Sequence, residues 1–147
     1  MTVRKATLAD IDNVAELFNQ YRQFYQQPAD LVACRVFIEQ RLINHQSTIF
    51  VALKAGQAVG FTQLYDSFCS VELKPLVYLY DLFVTESARK MGVAKKLMEC
   101  ARLYGLEKNA GRLSLMTEIK NTKGQALYEQ LGYLRDVEFY SYDLELN

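Results

Sequence analysis

Little in this chain bends, cross-links or charges it in one direction. Two prolines and seven glycines in 147 residues leave no room for a Pro/Gly-rich linker, and no repeat or low-complexity tract is present. A single domain over residues 1–147 is therefore expected, long enough to bury roughly 70% of its unfolded surface. Histidine occurs once, at His45, and cysteine only at Cys34, Cys69 and Cys100, with no C-x-x-C spacing. That set is too poor for a zinc site, so no metal is expected. An odd number of separated cysteines reads as small apolar filler in a reducing compartment, not as a disulfide framework. Neither sign of charge is in excess: 17 basic residues face 17 acidic ones, and the isoelectric point is near 6.6. A nucleic-acid surface would carry a basic surplus, so no such partner is expected. No apolar run approaches the roughly 18 residues of a membrane span, and Met-Thr-Val-Arg-Lys is no apolar signal region. The expected location is the cytoplasm.

What is present is apolar, aromatic and periodic. Half the residues are hydrophobic, with 8 Phe and 10 Tyr. A short strand at residues 3–6 runs into Thr7-Leu-Ala-Asp10, which has the form of a capping box with Asp in place of Glu. Ile11, Val14, Phe18 and Tyr21 then share one helical face. A second helix from about Asp30 carries Val36, Phe37, Ile38, Leu42 and Ile43. Strands at residues 48–53 and 58–65 flank Lys54-Ala-Gly-Gln57, a hairpin signal. Residues 67–74 read as a polar loop and residues 76–85 as an apolar strand. A helix follows with Ala94, Leu97, Met98, Ala101 and Tyr104 on one face. Residues 112–117 read as a strand, 122–131 as a helix and 137–146 as a long alternating strand. The order β α α β β β α β α β predicts an α+β fold, a mixed sheet with helices on both faces.

The most informative stretch joins the apolar strand to the helix after it. A polar turn leads into Arg89-Lys-Met-Gly-Val-Ala-Lys-Lys96, a basic, glycine-containing loop that opens a helix. The first turn of a helix leaves backbone N–H groups unpaired, and its dipole favours negative charge. Gly92 and Ala94 let an oxygen-rich ligand approach the backbone, with Arg89, Lys90, Lys95 and Lys96 around it. A phosphate-bearing cofactor suits such a place. The spacing Arg89-x-x-Gly92-x-Ala94 is neither the Gly-x-Gly-x-x-Gly of dinucleotide folds nor a Gly-Lys-Ser/Thr phosphate loop. By itself it also describes an ordinary strand–loop–helix junction with a solvated basic face. A second pattern lies further on: Asn121, then Tyr128 seven positions later within a helix, then Leu131-Gly-Tyr133.

In that order and spacing, the two patterns resemble the GCN5-related N-acetyltransferases (GNAT), and the resemblance covers essentially the whole chain. It implies an acyl-CoA N-acyltransferase fold with a mostly antiparallel mixed sheet. It also implies acetyl transfer from acetyl-CoA to a primary amine, expected here to belong to a small molecule. A protein lysine or N-terminal amine is the alternative acceptor, and a non-catalytic acyl-CoA-binding module the alternative class. Residue by residue, Arg89, Lys90, Met91, Gly92, Val93, Ala94 and Lys95 would grip the pyrophosphate. The main chain of Leu82, Phe83 and Val84 would bind pantetheine as an added strand, and an N–H near Leu82 would polarise the thioester carbonyl. Asn121 would hold the pantetheine arm, or simply cap a helix. Tyr128 is the candidate general acid, since a phenol with a reference pKa of about 10 is neutral at pH 7 and can protonate a thiolate; a core tyrosine is the alternative. For the base, Asp81, Glu118, Tyr80 and water stay open. Related polyamine acetyltransferases place Glu where this chain has Tyr80, which weighs against a polyamine acceptor. Asp66 and Glu72 would attract a cationic amine beside Tyr21, Tyr25 and Tyr65. Family members are frequently dimers, and a homodimer is expected, with the last strand near a sheet edge.

Overall fold

Residue parity along the strands decides which side chains meet which helices. The computed structural model describes residues 1–147, which divide into two compact units, residues 1–115 and 116–147. The first unit contains β1 (Thr2–Lys5), α1 (Ile11–Phe24), α2 (Leu31–Ile43), β2 (Thr48–Lys54), β3 (Gln57–Cys69), β4 (Lys74–Val84), α3 (Val93–Glu107) and β5 (Leu113–Ser114). Short 3-10 turns at Leu8–Asp10 and Glu86–Ala88 precede α1 and the loop into α3. The second unit contains α4 (Thr122–Gln130). The five strands form one sheet in the order β1-β2-β3-β4-β5, antiparallel except for the parallel β4–β5 pair. The mixed, mostly antiparallel sheet of an α+β fold is what the element order predicts. No helix is long and apolar enough to cross a membrane.

Alternate residues supply two cores. Ile49, Val51, Phe61 and Phe83 pack with Val14 and Leu17 of α1 and Ile38 of α2. Their neighbours of opposite parity, Phe50, Ala52, Leu82 and Val84, pack with Val93 and Leu97 of α3. Gly60 is what lets α3 lie close. A Cβ there would sit 2.9 Å from the Phe83 carbonyl oxygen and 3.3 Å from Val93 Cγ1.

The entry to α1 forms as its sequence suggests. Thr7 Oγ1 accepts from Ala9 N at 3.3 Å, and Asp10 Oδ2 accepts from Thr7 N at 2.8 Å. Arg4 closes on the same buried carboxylate with two hydrogen bonds of 2.8 and 2.9 Å. Those bonds hold the Asp10 carboxyl below the usual carboxylate range.

Four expectations need correction. Residues 137–146 form no strand: their apolar side chains, Val137, Phe139, Tyr140, Tyr142, Leu144 and Leu146, are all exposed. Alternation marks a segment that can bury one face, but a strand also needs a ladder partner. For the same reason the strand expected at 112–117 pairs only through Val77↔Leu113 and Tyr78↔Ser114. The polar loop expected at 67–74 shrinks to a turn at residues 70–73, because the pairing of β3 with β4 continues to Cys69↔Lys74. On α2, Ile38 and Cys34 are buried one turn apart, while Val36, Phe37 and Ile43 are exposed. Three consecutive apolar residues cannot all face one side of a helix.

Candidate functional site

β4 leads to an opening in the sheet and then to a loop shaped for an anion. Past Tyr78, β4 has no strand neighbour on its β5 side, so the backbone groups of residues 82–84 that point away from β3 meet no strand there. A bulge lies in the same stretch. Gln63 pairs Asp81 and Leu64 pairs Leu79, so Tyr80 has no opposite residue. The Asp81 carbonyl accepts instead from Thr62 Oγ1 at 2.8 Å. Bulges re-aim side chains and are common beside active sites.

The chain then turns through Glu86–Ala88 and reaches α3 in two left-handed steps, Lys90 at φ 62° and Gly92 at φ 78°. Non-glycine residues rarely adopt this region, so Lys90 holds local strain. The backbone ladder of α3 begins with Lys96 N donating to Gly92 O at 3.2 Å. The amides of Val93, Ala94 and Lys95 therefore precede the helical ladder and point out of its start. A Cβ on Gly92 would find no protein atom within 4 Å. Val93 and Leu97, both buried, pin this helix start to the sheet. Arg89 anchors the loop: its Nε donates to the Val84 carbonyl at 3.1 Å, and its guanidinium carbon lies 6.0 Å from the Phe24 ring centroid. Lys54 Nζ lies 3.4 Å from Met91 Sδ. Unpaired amides, open space beside Gly92 and basic side chains fit the phosphates of a nucleotide-bearing cofactor. The structure brings Arg89 through Lys95 together there.

On the α1 side of β4 lies a polar group inside apolar surroundings. Asp81 is buried and accepts from Gln63 Nε2 at 2.8 Å, while Gln63 Oε1 accepts from Ser47 Oγ at 2.7 Å. Tyr21 of α1 also hydrogen-bonds the carboxylate. Burial outweighs these bonds and pushes Asp81 above the usual carboxylate range. Tyr65, half-buried, is pushed up to about 12, by burial first and then by the charge of Asp81. Its ring meets Tyr80 edge-on at 5.5 Å, and Tyr21 meets Tyr25 edge-on at 5.1 Å. Reading the sequence singled out Asp81 and the tyrosines but missed Gln63 and Ser47. The available signal was a second polar residue in the neighbouring apolar strand.

Asp66 and Glu72 are committed elsewhere. Asp66 accepts from Tyr104 Oη at 2.9 and 3.0 Å with Lys108 Nζ at 3.9 Å, and Glu72 pairs with Arg112. No cluster of His, Cys, Asp or Glu able to hold a metal ion is formed.

In the second unit, Asn121 caps α4: its Oδ1 accepts from Gly124 N at 3.1 Å and its Nδ2 donates to Thr117 Oγ1 at 2.8 Å. Glu118 is exposed and pairs with Lys120 at 3.4 Å. Tyr128 projects from α4 with its ring 6.2 Å from that of Tyr133. The Tyr133 hydroxyl is buried without a hydrogen-bond partner and is pushed up by burial, with Tyr128 adding to the shift.

A sheet that opens beside its fourth strand, followed by an anion-ready helix start, defines a fold that can hold a CoA-type donor. The model of the acetyltransferase (GNAT) family matches residues 11–133, and the chain belongs to that family. It is 43% identical over 146 residues to the uncharacterized N-acetyltransferase YhfO of Bacillus subtilis (strain 168), covering 99% of this chain and 98% of that protein. A crystal structure of a probable acetyltransferase, 37% identical, superposes with a TM-score of 0.94 over 100% of this chain and 99% of its own. The aminoglycoside N(6')-acetyltransferase type 1 of Salmonella typhimurium (strain LT2) is 31% identical over 87 residues, 57% of this chain and 60% of that enzyme.

Proposed function

We propose that the protein transfers the acetyl group of acetyl-CoA to a primary amine of a small molecule. One observation carries this reading: the unpaired start of α3, reached through left-handed Lys90 and Gly92, directly follows a β4 whose outer edge lacks a strand beyond Tyr78. When bound, acetyl-CoA supplies an acetyl group activated as a thioester. Arg89, Lys90, Met91, Gly92, Val93, Ala94 and Lys95 hold its pyrophosphate through amides and basic side chains. The main chain of Leu82, Phe83 and Val84 binds the pantetheine arm, and Asn121 adds to that hold through the part of its amide not used in capping. Tyr128 Oη is the proton donor, on the strength of the Asn121…Tyr128…Gly132-Tyr133 pattern.

The amine must arrive or become neutral, and at a reference pKa of about 10.4 this takes roughly 4.6 kcal/mol at pH 7. The raised pKa and buried hydrogen bonds of Asp81 support it as the group that holds this proton. Glu118 is exposed and paired, and it has no such support. Tyr80 at the bulge and Tyr65 beside it suit the ordering of a water or the amine. The aminoglycoside-acetylating relative supports a small-molecule acceptor in preference to a protein. Three unpaired cysteines support a reducing, cytoplasmic setting.

The test is thiol release from acetyl-CoA with a panel of amines: aminoglycosides, amino acids, polyamines and lysine peptides. Amine-dependent release with at least one small amine is expected. CoA binding with no release across the panel would establish a sensing module instead. Release with peptides alone would move the acceptor to proteins.

A further inference from the structure

Gln63 is fully buried on the face of β3 that carries Phe61 into the core. A buried amide costs free energy unless both of its ends are bonded, whereas an apolar side chain there would need no partner. Both ends are bonded here. Oε1 accepts from Ser47 Oγ at 2.7 Å, and Nε2 donates to Asp81 Oδ2 at 2.8 Å. The three residues come from three places in the chain: Ser47 just before β2, Gln63 in β3 and Asp81 in β4. Gln63 and Asp81 pair directly beside the bulge at Tyr80. Thr62 Oγ1 donates to the Asp81 carbonyl at 2.8 Å, so consecutive residues of β3 hold both the backbone and the side chain of Asp81.

The direction of these bonds decides where a proton can sit. The Ser47 hydroxyl occupies Oε1, so the amide presents N–H to Asp81. An N–H donor needs a lone pair, which keeps Oδ2 an acceptor and leaves Oδ1 for a proton. An amide free to turn would offer Oε1 to a protonated Oδ2 and stabilise the neutral acid. We infer that Gln63, oriented by Ser47, is a positioning residue that reserves Asp81 Oδ2 as an acceptor and assigns the proton taken from the amine to Oδ1. This rests on the reading of Asp81 as the group that holds that proton. In the step, an N–H bond of the ammonium breaks and its electron pair stays on nitrogen. The Oδ1–H bond forms, and the carboxylate becomes a neutral acid.

The groups facing Asp81 come from four elements. Tyr21 of α1 hydrogen-bonds the carboxylate, and Gln63 and Tyr65 lie on β3. Tyr65 in turn feels Tyr80 of β4 and Arg41 of α2. Phenols and guanidinium groups keep their charge state through the carboxylate range, so a change in that range reports Asp81.

The experiment labels aspartate carboxyl carbons with ¹³C and follows the Asp81 resonance by NMR against pH, the signal being identified by its loss in Asp81→Asn. Gln63→Met keeps the volume and removes the donor, and should move the Asp81 titration up by about 1–2 pH units. Ser47→Ala removes no partner of Asp81 itself and should move it up by less. Ser47→Thr restores the hydroxyl and should titrate as the wild type does. The acidic limb of kcat/KM for thiol release, with the most active amine of the panel above, should move by the same amounts. An unmoved titration in Gln63→Met or Ser47→Ala would overturn the inference, as would Ser47→Thr behaving like Ser47→Ala. A purely structural Gln63 would lower the melting temperature alone. Moved titrations with an unmoved rate profile would remove Asp81 as the holder of the amine proton and leave the hold of Gln63 on Oδ2 standing. Should Gln63→Met fail to fold, the two variants of half-buried Ser47 decide.

Discussion

Gly92→Val separates a cofactor cradle from an ordinary solvated junction. Gly92 sits at φ 78°, and a Cβ there would touch nothing within 4 Å. The variant therefore introduces no clash in the free protein, only the strain of a left-handed L-residue. That strain is about 1–2 kcal/mol, toward the upper end for a β-branched side chain. At about 2–4 °C per kcal/mol for a chain of this size, the melting temperature should fall by about 2–8 °C and the fold should persist. The ligand feels something different. The vacant space over Gly92 is where a phosphate oxygen would approach the amides at the start of α3, and the isopropyl group fills it. A charge-assisted hydrogen bond is worth about 1.5–3 kcal/mol, so losing one should weaken CoA about 10–100-fold at 1.4 kcal/mol per decade. Scanning calorimetry and titration calorimetry on one preparation read the two effects separately. Lys90→Gly is the companion variant. It relieves the left-handed strain at φ 62°, so stability should be kept or raised, while any loss of affinity reports the missing charge. A folded Gly92→Val protein that binds CoA within twofold of wild type would refute the cradle.

Tyr128→Phe keeps the ring and removes the donor, so turnover should fall by about 10²–10⁴-fold with little change in CoA affinity; undiminished turnover in a stable variant would remove the acid role. Burial raises Asp81, so the folded chain holds that proton more tightly than the unfolded one, and the residue costs stability as pH rises from about 3.9 through its folded pKa. Asp81→Asn should therefore be more stable than wild type at pH 7, with the gain vanishing in acid, and urea midpoints at both pH values check the sign. Asp10 has the opposite sign: Arg4 depresses it, so its contribution is present at neutral pH and is lost as pH falls below about 3.9. The destabilisation caused by Asp10→Asn should shrink in acid. Gly60→Ala drives a methyl to 2.9 Å from a backbone oxygen and should destabilise by about 1–3 kcal/mol through overpacking, read as a lower melting temperature.

Features legible from the sequence were those whose causes lie within a few residues. The capping at Thr7 and Asp10, the helix start at about Asp30, the N-cap at Asn121 and the glycine-marked start of α3 rest on hydrogen bonds or dihedral angles spanning one helical turn. The apolar stripes of α1 and α3 rest on helical period alone. Those signals were enough to predict the fold class, and they are the basis on which Arg89 through Lys95 are proposed as a place for phosphate. Where partners lie far apart in the chain, the pattern ran out. Asp81 stood out as a charge in an apolar strand, but its state depends on Gln63, 18 residues away, and on Ser47 and Tyr21. Only the register of β3 against β4, with its bulge at Tyr80, brings them together. Asp66 and Glu72 looked available until Tyr104, Lys108 and Arg112 were seen to hold them. The clearest limit is residues 137–146. Alternation there encodes a strand with one apolar face, but a strand exists only when a second backbone completes its hydrogen bonds. Whether one does so is decided by tertiary contact, because pairing is non-local and no local interaction specifies the partner.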